Sequence, residues 1–424
     1  TLISLFDLVL FYLITTIVKT LFQINVVANS GSTGHIAEEL GRLVIASGWK
    51  SYIAYGRWAC PSQSMLIRVG TRFDLFVHGL KSMLFDRHGF GSRRATLHLI
   101  SKIEKIKPDI IHLHNLHGYY LNCEVLFDYL STAKIPVVWT LHDCWSFTGH
   151  CVHFQNIGCE KWKTGCFACP NIRDYPKALG CDNSRMNYIE KKRLFTSVER
   201  MMIVPVCNWL SDMLSKSYLS QIKRQTIVNG IDLKVFTPKG NRDVIKSNLG
   251  VGTRYMILAV ATVWGTTKGF DDLIYLNSLL PDKSVIVVVG LTTKQIKKLP
   301  GNMIGIERTE NINQLVEIYS AADIFINPTY QDTLPTVNIE ALACGTPVIT
   351  YDTGGSADIV DSDTGMVLKR GDIHTLLEKI LEIRERGKES YITKCRQRAL
   401  QFFDKSKQLS YYLSLYDQLL NKER

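Results

Sequence analysis

From Leu21 the apolar run "LFQINVVAN" reads as a buried strand, and the glycine turn "SGSTG" leads on to a segment with Ile36, Leu40, Leu43 and Val44 on one helical face. A second strand, "SYIAYG", completes the opening of a strand–helix–strand unit, which predicts a parallel sheet with a ligand at its carboxyl edge. Apolar runs recur at "DIIHLHN" (109–115), "PVVWTLHD" (136–143) and "MMIVPVC" (201–207). After the turn-rich passage "IVNGIDLKVFTP" (227–238) the pattern restarts with "YMILAVATV", the helical "KGFDDLIYLNSLL", "KSVIVVVG", the helical "NINQLVEIYSAA" and "DIFINPT". The prediction is an α/β protein of two Rossmann-like domains in series, residues 18–226 and 227–404. A closing helix over 405–424, apolar at Leu409, Tyr412, Leu413, Tyr416 and Leu419, can pack back on either domain.

Length agrees, because 424 residues exceed one ordinary core. The net charge of +11 and a pI near 9.0 suit an anionic partner, whether nucleotide, nucleic acid or lipid surface, without choosing among them. Residues 1–17, "TLISLFDLVLFYLITTI", lack the basic start of a signal peptide, and Asp7 argues against a membrane span. The chain starts with Thr rather than Met, so an incidental apolar extension is the expectation ahead of a true membrane anchor.

The chemistry concentrates in "QDTLPTVNIEALACGTPVI" (331–349). Thr333 to Thr336 carry helix-start signals, Val337 to Ala343 can form a short helix, and Gly345 sits where a C-terminal cap belongs. Glu340 then lies inside a helix of core-like residues, where a carboxylate requires a partner. Sugar hydroxyls meet that need; so does a Lys or Arg from elsewhere, and the eight-residue spacing from Asp332 does not choose between them. The unsatisfied amides at the helix start suit an anion such as a diphosphate.

Taken together, "PTYQDTLPTVNIEALACGTPVI", "TGGSADIV", "INVVANSGSTG", "TLHDCWSFTGHC", "IVNGID", "KGF" and "YSAADIFINPT" resemble glycosyltransferase family 4, nearest its capsule and colanic-acid-type exopolysaccharide branch. The resemblance implies the GT-B fold, with two Rossmann-like domains facing a cleft, and retaining transfer from a nucleotide-diphosphate sugar to a lipid-linked acceptor. Front-face substitution is implied, the leaving phosphate helping to take the acceptor proton. Asp332 maps to an acid that touches the donor sugar and is usually Glu; Glu340 maps to the acid that holds the ribose. Backbone groups of Thr333, Leu334, Pro335 and Thr336 would cradle the diphosphate, and Lys268 in "TTKGF" would stabilise the departing nucleotide. An Arg often found five or six positions before that Lys is replaced by Val263 and Thr262. On the first domain, Gly31 and Ser32 match a turn that approaches the phosphates, where small residues admit the ligand. His142 matches a substrate-contacting His. The resemblance further implies a cytoplasmic protein touching the membrane peripherally, with no cofactor for catalysis.

Several features read on their own. His112, His114 and His117 fit packing or acceptor-site lining better than zinc. Five of eleven cysteines crowd into 144–169. Within the Cys-rich insert, assigned as 144–181 of the first domain, Cys151, Cys159, Cys166 and Cys169 have spacings that could wrap one tetrahedral ion, and structural zinc is the expectation ahead of unligated thiols or disulfides. Cys144, Cys181, His150 and His153 are substitutes. A zinc-containing nucleic-acid-binding protein leaves the two Rossmann-like units and the acid pair unexplained, and the basic residues are spread along the chain. A nicotinamide dehydrogenase would want the full G-x-G-x-x-G spacing, which "SGSTG" lacks. A sugar-nucleotide epimerase of the same architecture is the remaining alternative.

Overall fold

The structure is a computed structural model and describes residues 18–421; the expectations for residues 1–17 and 422–424 lie outside the described residues. By density of contacts the described chain forms two compact units. The first comprises 18–142, 172–203 and 412–421, the second 143–171 and 204–411.

The first sheet is built from β1 (Thr20–Asn25), β2 (Lys50–Tyr55), β3 (Met65–Arg68), β4 (Ile110–Leu113), β5 (Val137–Leu141) and β6 (Met201–Pro205), in the order β3-β2-β1-β4-β5-β6. β1 pairs in parallel with β2 (Thr20 opposite Lys50) and with β4 (Leu21 opposite Ile110). The second comprises β7 (Tyr255–Val260), β8 (Ser284–Val289), β9 (Met303–Ile306), β10 (Ile324–Asn327), β11 (Val348–Tyr351) and β12 (Gly365–Leu368), ordered β12-β11-β10-β7-β8-β9. Every residue of β4, β5, β8, β10 and β11 is buried, as expected of parallel strands covered on both faces. Each order reverses once, between β1 and β4 and between β7 and β10. Loops leaving neighbouring strands diverge at such a reversal, which leaves room for a ligand.

Three boundaries differ from expectation. The chain passes to the second unit after Ile203 rather than near 226, and residues 143–171 group with the second unit rather than the first. The cause is specific: the Gln155 side chain accepts from the Gly354 amide (2.9 Å), Arg370 donates to the Gln155 carbonyl, and the Tyr218 hydroxyl donates to the Ser146 carbonyl. The closing helix, Lys405–Asn421, divides between the two units: residues to Tyr411 group with the second and Tyr412 onward with the first. There Tyr416 Oη meets His112 Nδ1 at 2.6 Å and Tyr412 Oη meets Thr140 Oγ1 at 3.1 Å.

Candidate functional site

In the second unit the predicted donor residues gather where the sheet order reverses. Lys268 follows β7 and Asp332 follows β10. Gly269, at φ +72, lets the first loop press on the second: a Cβ there would stand 2.1 Å from the Pro328 carbonyl oxygen. Lys268 Nζ thereby reaches Asp332 Oδ2 at 2.7 Å and the Gln331 carbonyl at 3.2 Å. The other Asp332 oxygen accepts from the Thr333 amide at 2.9 Å. Behind them Gly354, at φ +54, would place a Cβ 2.2 Å from the Asp332 carbonyl oxygen, and the Gly355 amide donates to the Thr333 carbonyl at 2.7 Å. The 331–334 segment is thus fixed from both sides.

Pro335 is the N-cap of the helix Thr336–Ala343, and no side chain caps its first amides. Thr333 Oγ1 and Asn338 Nδ2 are buried without a hydrogen-bond partner, although buried polar groups are ordinarily satisfied. A hydroxyl, an amide group and an uncapped helix start are together what a phosphate oxygen would satisfy. One turn along, Tyr319 Oη donates to Glu340 Oε2 at 2.9 Å. Burial pushes the Glu340 carboxyl up to about 7, and the tyrosine bond offsets only part of that. No Lys or Arg pairs with Glu340 among the described salt bridges, so the ion-pair alternative does not describe it. Thr262 and Val263, at the place of the expected Arg, are exposed.

In the first unit Gly31 has φ +60 with open space where a Cβ would be, at the start of the helix Gly31–Ala46, and Ser32 follows it on the exposed side. Asn25, at the end of β1, holds this turn: its side-chain amide donates to the Val27 carbonyl (2.9 Å) and to Thr33 Oγ1 (3.3 Å). His142 follows β5, with Nε2 at 3.3 Å from His114 Nδ1 and the rings stacked. The tautomers in this row follow from Gln23. Its side-chain nitrogen donates to the Ala37 carbonyl at 2.8 Å, which turns its oxygen to His114 Nε2 at 3.1 Å. His114 Nε2 therefore carries the proton, and its Nδ1 accepts from His142 Nε2–H. Burial holds His114 far below the usual histidine range and takes His112 down to about 3, so both stay neutral. This is the packing role expected of His112 and His114; His117 bonds Tyr175 Oη at 3.2 Å.

Cys151, Cys159, Cys166 and Cys169 line a single cavity of about 10 Å³ with His150, Phe154 and Trp162. Cys151 and Cys169 share a hydrogen bond that, with burial, raises the Cys151 thiol well above the ordinary range, and Cys166 Sγ accepts from the Gly149 amide at 3.2 Å. Among the described residues no three His, Cys, Asp or Glu side chains stand ready to hold an ion. The loop also has a core of its own: Phe154 stacks on Trp162 at 4.9 Å, with Phe147 edge-on at 5.3 Å from Trp162.

Sequence reasoning missed Tyr319, Gly354, Gly269, Gln155 and Gln23. Gly354, Gly269 and Tyr319 lay within motifs singled out above, in "TGGSADIV", "KGF" and "YSAADIFINPT", without being picked out themselves.

Two parallel α/β units, each with one reversal of strand order, have the GT-B fold seen in solved glycosyltransferase structures. Within the second unit, residues 254–386 match the family model described as "Glycosyl transferases group 1". The chain is 24% identical to the colanic acid biosynthesis glycosyl transferase WcaC of Escherichia coli (strain K12), over 84% of this chain and 89% of that protein. It is 28% identical to a D-inositol 3-phosphate glycosyltransferase of Mycolicibacterium smegmatis over 41% of this chain and 42% of that one. Among solved structures, a sucrose-phosphate synthase from Thermosynechococcus elongatus superposes with a TM-score of 0.70 at 17% identity, covering 95% of this chain and all of that one. Anabaena HepE in complex with UDP-glucose gives 0.63 at 13%, covering 93% and 99%. An epimerase is not favoured by any of these.

Proposed function

We propose that the protein transfers a sugar from a nucleotide-diphosphate sugar, with retention of configuration, to a lipid-linked glycan in surface polysaccharide synthesis. One observation carries the donor side: at one sheet edge Glu340, with no Lys or Arg partner, lies one helical turn past the uncapped helix start at Thr336, which follows the orphaned Thr333 hydroxyl and the Lys268–Asp332 pair. In this reading Glu340 accepts from the ribose hydroxyls, and the amides from Thr333 to Thr336 face the diphosphate. Lys268 neutralises charge as the nucleotide departs, and Asp332 orients the sugar. Gly31 and Ser32 let the phosphates approach the backbone. His142 contacts the sugar. The leaving phosphate takes the acceptor proton as the new glycosidic bond forms, so no separate nucleophile is required. The likeness to HepE with UDP-glucose supports this donor class, and the likeness to a colanic acid enzyme supports the polysaccharide setting. Incubation with UDP-, GDP- and ADP-linked sugars, with and without a lipid-diphosphate-linked acceptor, tests it. Transfer that requires the acceptor is expected; interconversion of the donor without acceptor would establish an epimerase instead.

The acceptor reading places the protein at the inner membrane face. Among the described residues no helix is long and apolar enough to cross a membrane; the reading takes the contact to be peripheral.

The reading also assigns one structural zinc to Cys151, Cys159, Cys166 and Cys169. Its support is that all four line one cavity; it requires the thiolates to draw together on the ion. The aromatic cluster already orders this loop, so the metal would add rigidity rather than create the fold. Elemental analysis of reduced protein is expected to find about one zinc per chain, lost in Cys166→Ser; metal-free protein with full activity would remove the assignment.

A further inference from the structure

The helix Arg72–Phe85 buries one face and exposes an apolar one. His78 and Ser82 are buried at 1% and 0% exposure, whereas Phe73 (72%), Phe76 (66%), Leu80 (40%) and Leu84 (40%) face outward. Spaced three, four and four residues apart, those side chains form one continuous stripe. Phe85, 51% exposed, extends it at the helix end. Surface helices ordinarily show the reverse pattern, with charge outward.

The charges around the stripe are ordered too. At 3.6 residues per turn Arg72 falls on one side of it and Lys81 on the other, and both are exposed. The acids on this helix are occupied: the Asp74 carboxylate accepts from the Thr71 amide and hydroxyl, both at 2.8 Å, and Asp86 at the C-cap is fully buried. Across residues 65–107 there are nine Lys and Arg against three Asp and Glu. Alongside the C-terminal turn, the Leu179 amide donates to the Met83 carbonyl at 2.7 Å, which adds an exposed Leu179 and brings the neighbouring exposed Lys177 close.

An apolar stripe between two basic borders matches the profile of an anionic bilayer, with headgroup charge above and acyl chains below. A second copy of the chain would meet this face with the same positive borders, which disfavours self-association through it. Fourteen residues make a helix about 21 Å long, too short to span a bilayer but suited to lying on one. We propose that the helix Arg72–Phe85 docks the protein on an anionic lipid surface, with Phe73, Phe76, Leu80 and Leu84 entering the acyl boundary and Arg72 and Lys81 on the headgroups. It deepens the membrane-linked acceptor reading above by naming the surface that meets the lipid.

The test is flotation of the full chain with phosphatidylglycerol-containing and pure phosphatidylcholine vesicles at low and high salt. Preference for the anionic vesicles, weakened by salt, is expected. Phe73→Ser/Phe76→Ser is expected to lower the partition coefficient about tenfold or more. Arg72→Glu/Lys81→Glu is expected to abolish the preference for anionic vesicles. Both pairs are exposed, so circular dichroism should be unchanged. Wild-type flotation by the Phe pair overturns the proposal. So does loss of binding on deleting 1–17 with the helix intact, or a dimer, seen by light scattering, that the Phe pair dissolves. The two readings fail separately. Transfer to a water-soluble acceptor without flotation would sink the docking face alone, and flotation lost in the Phe pair without any sugar transfer would sink the enzymatic reading alone.

Discussion

Glu340→Gln should make the protein more stable and a poorer binder of its donor. Burial raises the Glu340 carboxyl to about 7 from the ordinary 4.5, so between those pH values the folded chain holds more of this proton than the unfolded chain. Stability contributed by this group therefore falls as pH rises from about 4.5 to 7 and stays low above that. The gap of 2.5, at about 1.36 kcal/mol per pH unit, gives an upper bound of about 3 kcal/mol, reduced because the carboxylate keeps some solvent contact. Glutamine keeps an acceptor for Tyr319 and removes the charge, so the variant should gain up to about 3 kcal/mol at pH 8, or about 5–10 °C in melting temperature, and nothing at pH 4. Donor binding should respond in the opposite sense. Ribose hydroxyls donate to the ionised form, so affinity should rise up to tenfold per pH unit toward pH 7 and level off above it. The variant should bind about tenfold to a hundredfold more weakly, as expected for loss of a charge-assisted hydrogen bond. Thermal denaturation at several pH values with parallel calorimetry measures both. A variant no more stable than wild type at pH 8, or with undiminished nucleotide-sugar affinity, would refute the assignment of Glu340 as a buried acid held for the ribose.

The Lys268–Asp332 pair predicts that Lys268→Ala lowers kcat, because the leaving nucleotide loses its cation, while Asp332→Ala changes relative kcat/KM across donor sugars; unchanged kinetics over several donors would count against both roles. Gly354→Ala should abolish donor binding without unfolding the chain, since its Cβ would stand 2.2 Å from the Asp332 carbonyl oxygen, and calorimetry alongside circular dichroism checks it. Gln23→Leu removes the acceptor that fixes the His114 tautomer, so transfer should drop while nucleotide affinity holds, and full activity would return His142 to a packing role. Lys388→Met should cost about 2–4 kcal/mol in chemical denaturation, because Nζ serves the Ser320 and Ala322 carbonyls and Thr346 Oγ1 at 2.6, 2.6 and 2.8 Å; methionine would leave the two buried carbonyls without this donor, while Thr346 Oγ1 keeps its bond to the Tyr319 carbonyl.

What could be read from the sequence follows from burial. β1, β4, β5, β7, β8, β10 and β11 are covered on both faces, so their apolar runs announce themselves; β3, β9 and β12 are four-residue strands at sheet edges and left no such run. The helix Arg72–Phe85 escaped because periodicity reports which face is apolar, not whether that face is covered, and here the apolar stripe is the outer one. Lys268, Asp332 and Glu340 were singled out by local spacing and family likeness together, and the structure brings Lys268 and Asp332 into contact. Tyr319 was not, since its partner is 21 residues away and its own helix reads as ordinary core.

The insert shows the same limit from another side. Four cysteines at suggestive spacing pointed to one ion, and in the structure Phe147, Phe154 and Trp162 pack together within the same loop. Its assignment to a unit turned on Gln155, one unremarkable amide that receives the Gly354 N–H while its carbonyl takes Arg370. Gly354 is the residue whose missing Cβ makes room for the Asp332 backbone. The Cys-rich loop therefore bears on the backbone that carries Asp332, through the Gln155–Gly354 hydrogen bond and the close approach of Gly354 to the Asp332 carbonyl. Loosening the loop should consequently disturb donor selection as well as any acceptor contact, a coupling that cysteine spacing alone could not have suggested.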